Sequence, residues 1–93
     1  MRSYASIDRI EGEIAVCEVE MINVIEAEQV PYEDRETVMF DVKLQEINFD
    51  LGEEIHESDI IVVEHDGVNV LFSCCIDKEE KTRRTEYLNQ LLG

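Results

Sequence analysis

Apolar and polar residues alternate along most of the first 76 positions of this chain, the pattern of half-buried β-strands. Ser3 to Ile10 is β-prone and closes on Glu11-Gly12. Glu13 to Glu20 answers it with Ile14, Ala15, Val16, Cys17 and Val19, so the Glu-Gly break predicts a hairpin. Its second strand is expected to continue through Met21 to Ile25. Glu26 to Glu36 then break the alternation: the only proline, Pro31, stands among Glu28, Glu33, Asp34 and Glu36. This stretch reads as an exposed acidic loop, longer than the usual connection of about 4–6 residues and a place where function often lies. Val38, Phe40, Val42 and Leu44 next face one way, and Thr37, Met39, Asp41 and Lys43 the other. Gln45 to Asp59 turns irregular and acidic, with room for one short helical turn. Ile60 to Val63, the Asp66-Gly67 signature of a type I′ turn and the return strand Val68 to Ile76 predict a second hairpin. Strict alternation puts Val68, Val70, Phe72, Cys74 and Ile76 on one face of that last strand, with Leu71 and Cys75 as apolar residues on the other.

The closing segment changes period. Asp77 followed three positions later by Glu80 is a capping box, and Tyr87, Leu88, Leu91 and Leu92 fall on one helical stripe headed by Arg84. A lone amphipathic helix must bury its stripe on something, and the sheet is the surface at hand. The pattern therefore predicts a mainly β domain: a small curled sheet or SH3/OB-like barrel of about five antiparallel strands capped by a C-terminal helix, with a β body over 1–76 and the helix over 77–92.

Composition narrows the partners. Ninety-three residues make one domain with a thin core, 1–93. Twenty-three acids against eight bases give a net charge of −15, and all of it lies in residues 1–76: nineteen acids against Arg2, Arg9, Arg35 and Lys43. Residues 77–93 carry four of each sign. Such a body repels phosphates and anionic headgroups and favours a basic protein surface, so neither nucleic acid nor membrane is expected as a partner. No segment nears the ~18 apolar residues of a membrane helix, and the opening Met1-Arg2-Ser3-Tyr4 has no signal-peptide core, which points to the cytoplasm. Three cysteines, two of them adjacent (Cys74 and Cys75), do not form a disulfide framework.

Two motifs carry a family resemblance. Ile7-Asp8-Arg9-Ile10-Glu11-Gly12-Glu13-Ile14-Ala15-Val16 resembles the "IDRxEGxxAV" opening of the bacterial domain of unknown function 3006 family. Asp77 to Arg84, continuing to Leu91, resembles that family's closing "D-x-E-x-T-x-x-R…L" helix. Glu57-Ser58-Asp59-Ile60-Ile61 stands where the family has "EGDVV", and a serine in place of glycine suggests a different turn. Met21 to Glu36 has no counterpart. The resemblance implies a small barrel or curled sheet with one helix. It also implies a partner module, because relatives lie beside or are joined to metallo-β-lactamase-like or competence-type proteins. In the opening motif, Asp8 and Arg9 in a strand face opposite sides, Asp8 to accept from nearby backbone and Arg9 to pair with an acid on an adjacent strand.

No residue set reads as a catalytic, cofactor or metal site. Cys17, Cys74 and Cys75 lie on strands, where a cysteine is usually a small core hydrophobe. Of the two histidines, His56 and His65, the second adjoins a turn and is expected to be solvated. Adjacent Cys74-Cys75 is not a zinc spacing, and Asn48-x-Asp50-x-Gly52 is only a faint echo of half a calcium loop. Lys78, Lys81, Arg83 and Arg84 form the one basic cluster, explained by pairing with Glu79, Glu80, Glu86 and the acidic body. The expectation is a non-catalytic interaction or regulatory module without cofactor. The alternative is an acidic nucleic-acid mimic that blocks a basic cleft. An exposed strand edge on a thin-cored domain also makes a homodimer a candidate.

Overall fold

The computed structural model of the chain describes residues 1–93. Five antiparallel strands form one open sheet: β1 (Arg2–Glu11), β2 (Ile14–Glu20), β3 (Thr37–Lys43), β4 (Ile60–His65) and β5 (Val70–Ile76), in the order β3-β2-β1-β4-β5. Three helices complete it: α1 (Val24–Ala27), α2 (Leu44–Leu51) and α3 (Lys78–Leu92), with a 3₁₀ turn at Tyr32–Asp34. The sheet curls without closing. Phe40 and Val42 of β3 line one shallow recess with Val68 and Val70 at the β4–β5 turn.

The expected hairpins are present. Gly12, at φ +60, turns β1 into β2 with Glu11 paired to Ile14. The second turn is not type I′, which needs positive φ at both central residues. Here Asp66 N–H donates to the Asn69 carbonyl, leaving Gly67 and Val68 central, and only Gly67 (φ +87) is left-handed. The Asp66 carboxylate instead accepts from the Val68 and Asn69 amides.

One face of the sheet carries the core: Ala5, Ile7, Ala15, Cys17, Val19, Ile61 and Val63, covered by Ile47 of α2 and by Ile55. The segment expected to be irregular is thus the lid of the core. Its signal was present, since Leu44, Ile47 and Leu51 share one helical face and Gly52 (φ +73) stops the helix, its N–H donating to the Asn48 carbonyl. Asn48 and Asp50 spend side-chain oxygens on the Ile55 and Ser73 amides, which ties α2 to the following loop and to β5.

Bulges decide which residues face inward. β5 pairs with β4 through shifts between Cys75 and Ser73 and between Phe72 and Val70. Each inserted residue reverses the alternation, so Ile76, Ser73 and Val70 are the residues opposite the core-facing Ile61, Val63 and His65. Phe72 is left 43% exposed, contrary to strict alternation. A third bulge falls at Asp8, between the Ile7–Cys17 and Arg9–Val16 pairs. It lets Arg9 bond Asp8 (2.6 Å) and Glu11 (2.5 Å) of its own strand, not an acid across the sheet.

At the bulge, Ile7 exchanges backbone bonds with the 56–59 turn: its N–H donates to Asp59 O and its carbonyl accepts from Ser58 N–H. Ser58 sits at φ +74. A side chain therefore stands in a conformation that favours glycine, at a cost of about 1–2 kcal/mol. Ser58→Gly is expected to raise stability by about 1 kcal/mol, or about 4–8 °C in Tm for a domain this size, read by thermal and urea unfolding. Ile47→Ala is expected to cost about 2–5 kcal/mol in the same assay, by opening a cavity under α2.

Candidate functional site

The opposite face of the sheet is covered differently. The first half of α3 and the 24–36 segment meet this face at Tyr4, Glu20 and Ile60, and charged groups do the fastening. Asp77 caps α3 by accepting from the Glu80 amide, as the sequence indicates. The return half of the capping box is not made: Asp77 N–H bonds the Ile60 carbonyl, and the Glu80 carboxylate turns inward. There it accepts from Arg84 Nε (2.8 Å), Arg83 Nε (2.9 Å) and the Tyr32 hydroxyl (3.1 Å). Arg84 also reaches Glu20 at 2.9 Å. Glu20 in turn accepts from Arg35 Nη1 at 3.2 and 3.3 Å. Arg35 completes the network by donating to the Val30 and Ala27 carbonyls.

This chain of alternating charges is nearly dry. Glu20, Glu80 and Arg35 keep side-chain exposures of 5%, 5% and 7%. Burial pushes the Glu80 carboxyl up, but the Arg84 and Arg83 guanidiniums outweigh it and hold its pKa below the usual value. Burial likewise works against the charge on Arg84, and Glu80 and Glu20 overcome it and raise its pKa. The 24–36 stretch is therefore not a free loop. Asn23 caps α1 through the Ile25 and Glu26 amides, Ala27 is fully buried and Arg35 anchors the exit. Its carboxylates at 26, 28, 33, 34 and 36 do face solvent.

All three tyrosines of the chain meet where this segment faces α3. Tyr32 packs edge-on against Tyr87 with ring centroids 5.1 Å apart. Arg35 lies 4.4 Å over the Tyr32 ring, and Arg84 sits between Tyr32 (5.0 Å) and Tyr4 (5.3 Å). The hydroxyls cross reciprocally, Tyr32 donating to Glu80 on α3 and Tyr87 donating to Glu33 on the segment. Around them opens a recess of about 630 Å³, floored by the tyrosines and walled by Val30, Pro31 and Arg83. That size lies in the range of ligand-binding clefts.

The apolar stripe of α3 does not do what its pattern suggests. Leu88, Leu91 and Leu92 remain 56%, 66% and 88% exposed, and the buried residue of the helix is Glu80. The helix is pinned at its charged end, and of its stripe Tyr87 packs on Tyr32 while Leu88 lines a recess with Ser6 and Ile60 of the sheet. The basic cluster is spent largely inside the fold: Arg83 and Arg84 on Glu80, Arg84 on Glu20, and Lys81 on Asp59 at 3.1 Å. The exposed carboxylates are spread over the first hairpin (Asp8, Glu11 and Glu13), the 24–36 segment, Asp41 of β3, α2, the 53–57 loop, the tip at Asp66 and Glu79 and Glu86 of α3.

His65 is buried, not solvated, because β4 turns it to the core face. Gly67 N–H donates to Nδ1 at 3.0 Å, so the ring proton sits on Nε2 and is shared with Ser3 Oγ at 2.8 Å. The Ser3 hydroxyl in turn donates to the Ile22 carbonyl. The pair is a structural hydrogen-bond chain with its hydroxyl occupied, and burial lowers the His65 pKa from 6.5. Burial raises the Cys17 thiol to about 11 and also pushes Cys74 up, while Cys75 is exposed. No cluster of three or more His, Cys, Asp or Glu side chains has the geometry to hold a metal ion, and no buried side-chain polar atom lacks a partner.

Acid should act in two stages. His65 has a lowered folded pKa, so the unfolded chain takes up its proton first and stability declines as pH falls below about 6.5. Glu80 is also lowered, so its contribution is present above 4.5 and is lost as pH falls through its folded value. Urea titrations from pH 8 to pH 3 should show both declines, with His65→Gln removing the upper one and Glu80→Gln reducing the lower. Arg84→Ala, which leaves Glu20 to Arg35 alone and Glu80 to Arg83 and Tyr32, is expected to cost about 1–3 kcal/mol near neutral pH. Comparison of the chain with protein-family models, curated proteins and solved structures finds no match.

Proposed function

We propose that this protein is a non-catalytic interaction module whose binding face is the cleft between α3 and the 24–36 segment, and that its occupant is a peptide segment of another protein. The observation that carries the reading is the convergence of Tyr4, Tyr32 and Tyr87 in one open recess beside a half-exposed Arg83. Tyrosine and arginine dominate the energetics of protein interfaces, since they combine a large apolar area with a polar tip. The surrounding groups are held rigidly by the buried charge network, which lowers the ordering cost of binding. Catalysis finds less support: the buried serine–histidine pair is occupied internally, and Cys17 and Cys74 are shifted away from thiolate. The resemblance to the domain of unknown function 3006 family, with its partner-module context, agrees with this reading as association only.

Peptides selected on the immobilised protein from a random-peptide library supply the test, because the natural occupant need not be known. Their binding should shift the NMR signals of Tyr4, Tyr32 and Tyr87, and Tyr87→Ala should weaken it about tenfold or more with the far-UV spectrum unchanged. Binding that maps away from these tyrosines, or that is indifferent to Tyr87→Ala, would overturn the assignment.

A further inference from the structure

The two edges of the sheet are not alike. β5 carries two bulges within seven residues, and bulges twist an edge and interrupt the repeat that an incoming strand must match. β3 carries none. All seven of its residues, Thr37 to Lys43, pair with β2 in unbroken register. Its backbone ladder runs to β2 alone, so the other side of the strand is a regular row of free donors and acceptors. It holds no proline, and Val38 and Met39 are 42% and 47% exposed. Neither a bulge nor a proline blunts this edge; Asp41 and Lys43 put one charge of each sign on it, and its 40–43 half shares a recess with Val68 to Val70 of the β4–β5 turn.

We propose that β3 pairs with β3 of a second copy of this chain, antiparallel about Phe40, joining two sheets into one. The strand is self-complementary in this register. Val38 comes to lie opposite Val42 of the second copy, Met39 opposite Asp41, and Thr37 opposite Lys43, each pair occurring twice. No like charges stand directly opposite. Moving the centre to Asp41 would set the two Asp41 carboxylates face to face, and centring on Met39 would leave Val42 and Lys43 unmatched. An odd shift would turn the core face of one sheet toward the outer face of the other. Because each protomer offers one regular edge, the assembly closes as a two-fold dimer and does not grow into a fibre. Each protomer brings a charge of −15, so repulsion opposes the pairing and salt relieves it.

Sedimentation equilibrium of the wild-type chain in about 0.05 M and about 0.5 M NaCl tests this, with hydrogen exchange to locate the contact. The expected result is a monomer–dimer equilibrium that tightens several-fold with salt, with amides of 37–43 gaining protection as concentration rises. Thr37→Lys separates register from general charge. It lowers the repulsion between protomers, yet sets two lysines opposite Lys43, and should loosen the dimer about tenfold. Thr37 is exposed at the sheet's margin, so the fold should survive, checked by its unfolding midpoint. A monomer at every salt concentration, protection appearing on β5 or α3 in place of β3, or a tighter dimer from Thr37→Lys would each overturn the proposal.

Discussion

Glu20 ends β2 with its carboxylate out of water, where an unpaired charge costs several kcal/mol. Two arginines from distant parts of the chain meet that cost, Arg35 from the 24–36 segment and Arg84 from α3. Everything on that face of the sheet follows from their convergence. Arg35 in reaching Glu20 also caps two carbonyls of its own segment, which folds the segment down. Arg84 in reaching Glu20 brings Glu80 with it, and Glu80 draws in Tyr32. The tyrosine cleft is what remains open between these two anchored pieces.

The two faces of the sheet thus use different physics. Beneath α2 the core is apolar and held by area, with Ile47 1% exposed among Ile7, Val19, Ile61 and Val63. Beneath α3 it is a row of alternating charges whose attraction and hydrogen bonds offset desolvation. The second arrangement adds little net stability for the surface it covers, since buried ion pairs roughly break even against apolar packing. Its effect is on geometry: directional bonds place the aromatic rings and leave Leu88, Leu91 and Leu92 of the helix more than half exposed.

Local patterns were legible where a short stretch of chain decides the outcome. The alternation of β3, the glycine of the first hairpin and the Asp77 cap of α3 all stand in the structure as their residues indicate. Helix α2 was legible in principle from Leu44, Ile47, Leu51 and Gly52, but its polar residues blended into an acidic stretch. Failure came where parity or partners enter. Each bulge in β5 adds one residue and reverses every inward assignment before it, and nothing in Val70 to Ile76 announces a bulge. His65 looked solvated beside a turn because its two hydrogen-bond partners, Ser3 and Gly67, include one from the far end of the chain.

The amino-acid sequence by itself determined the class of this protein: a mainly β domain with one C-terminal helix and an acidic β body. Periodicity, caps and charge are local or summed properties and need no third dimension. The tertiary structure alone decided the site. Arg35, Glu20, Arg84, Glu80 and the three tyrosines come from four separate elements, and their spacing in the chain carries no sign that they meet. The same holds for the helix stripe. Its leucines promised burial, but the position of α3 is set by the ion pairs at its charged end, which outweigh the stripe in directing where the helix can lie.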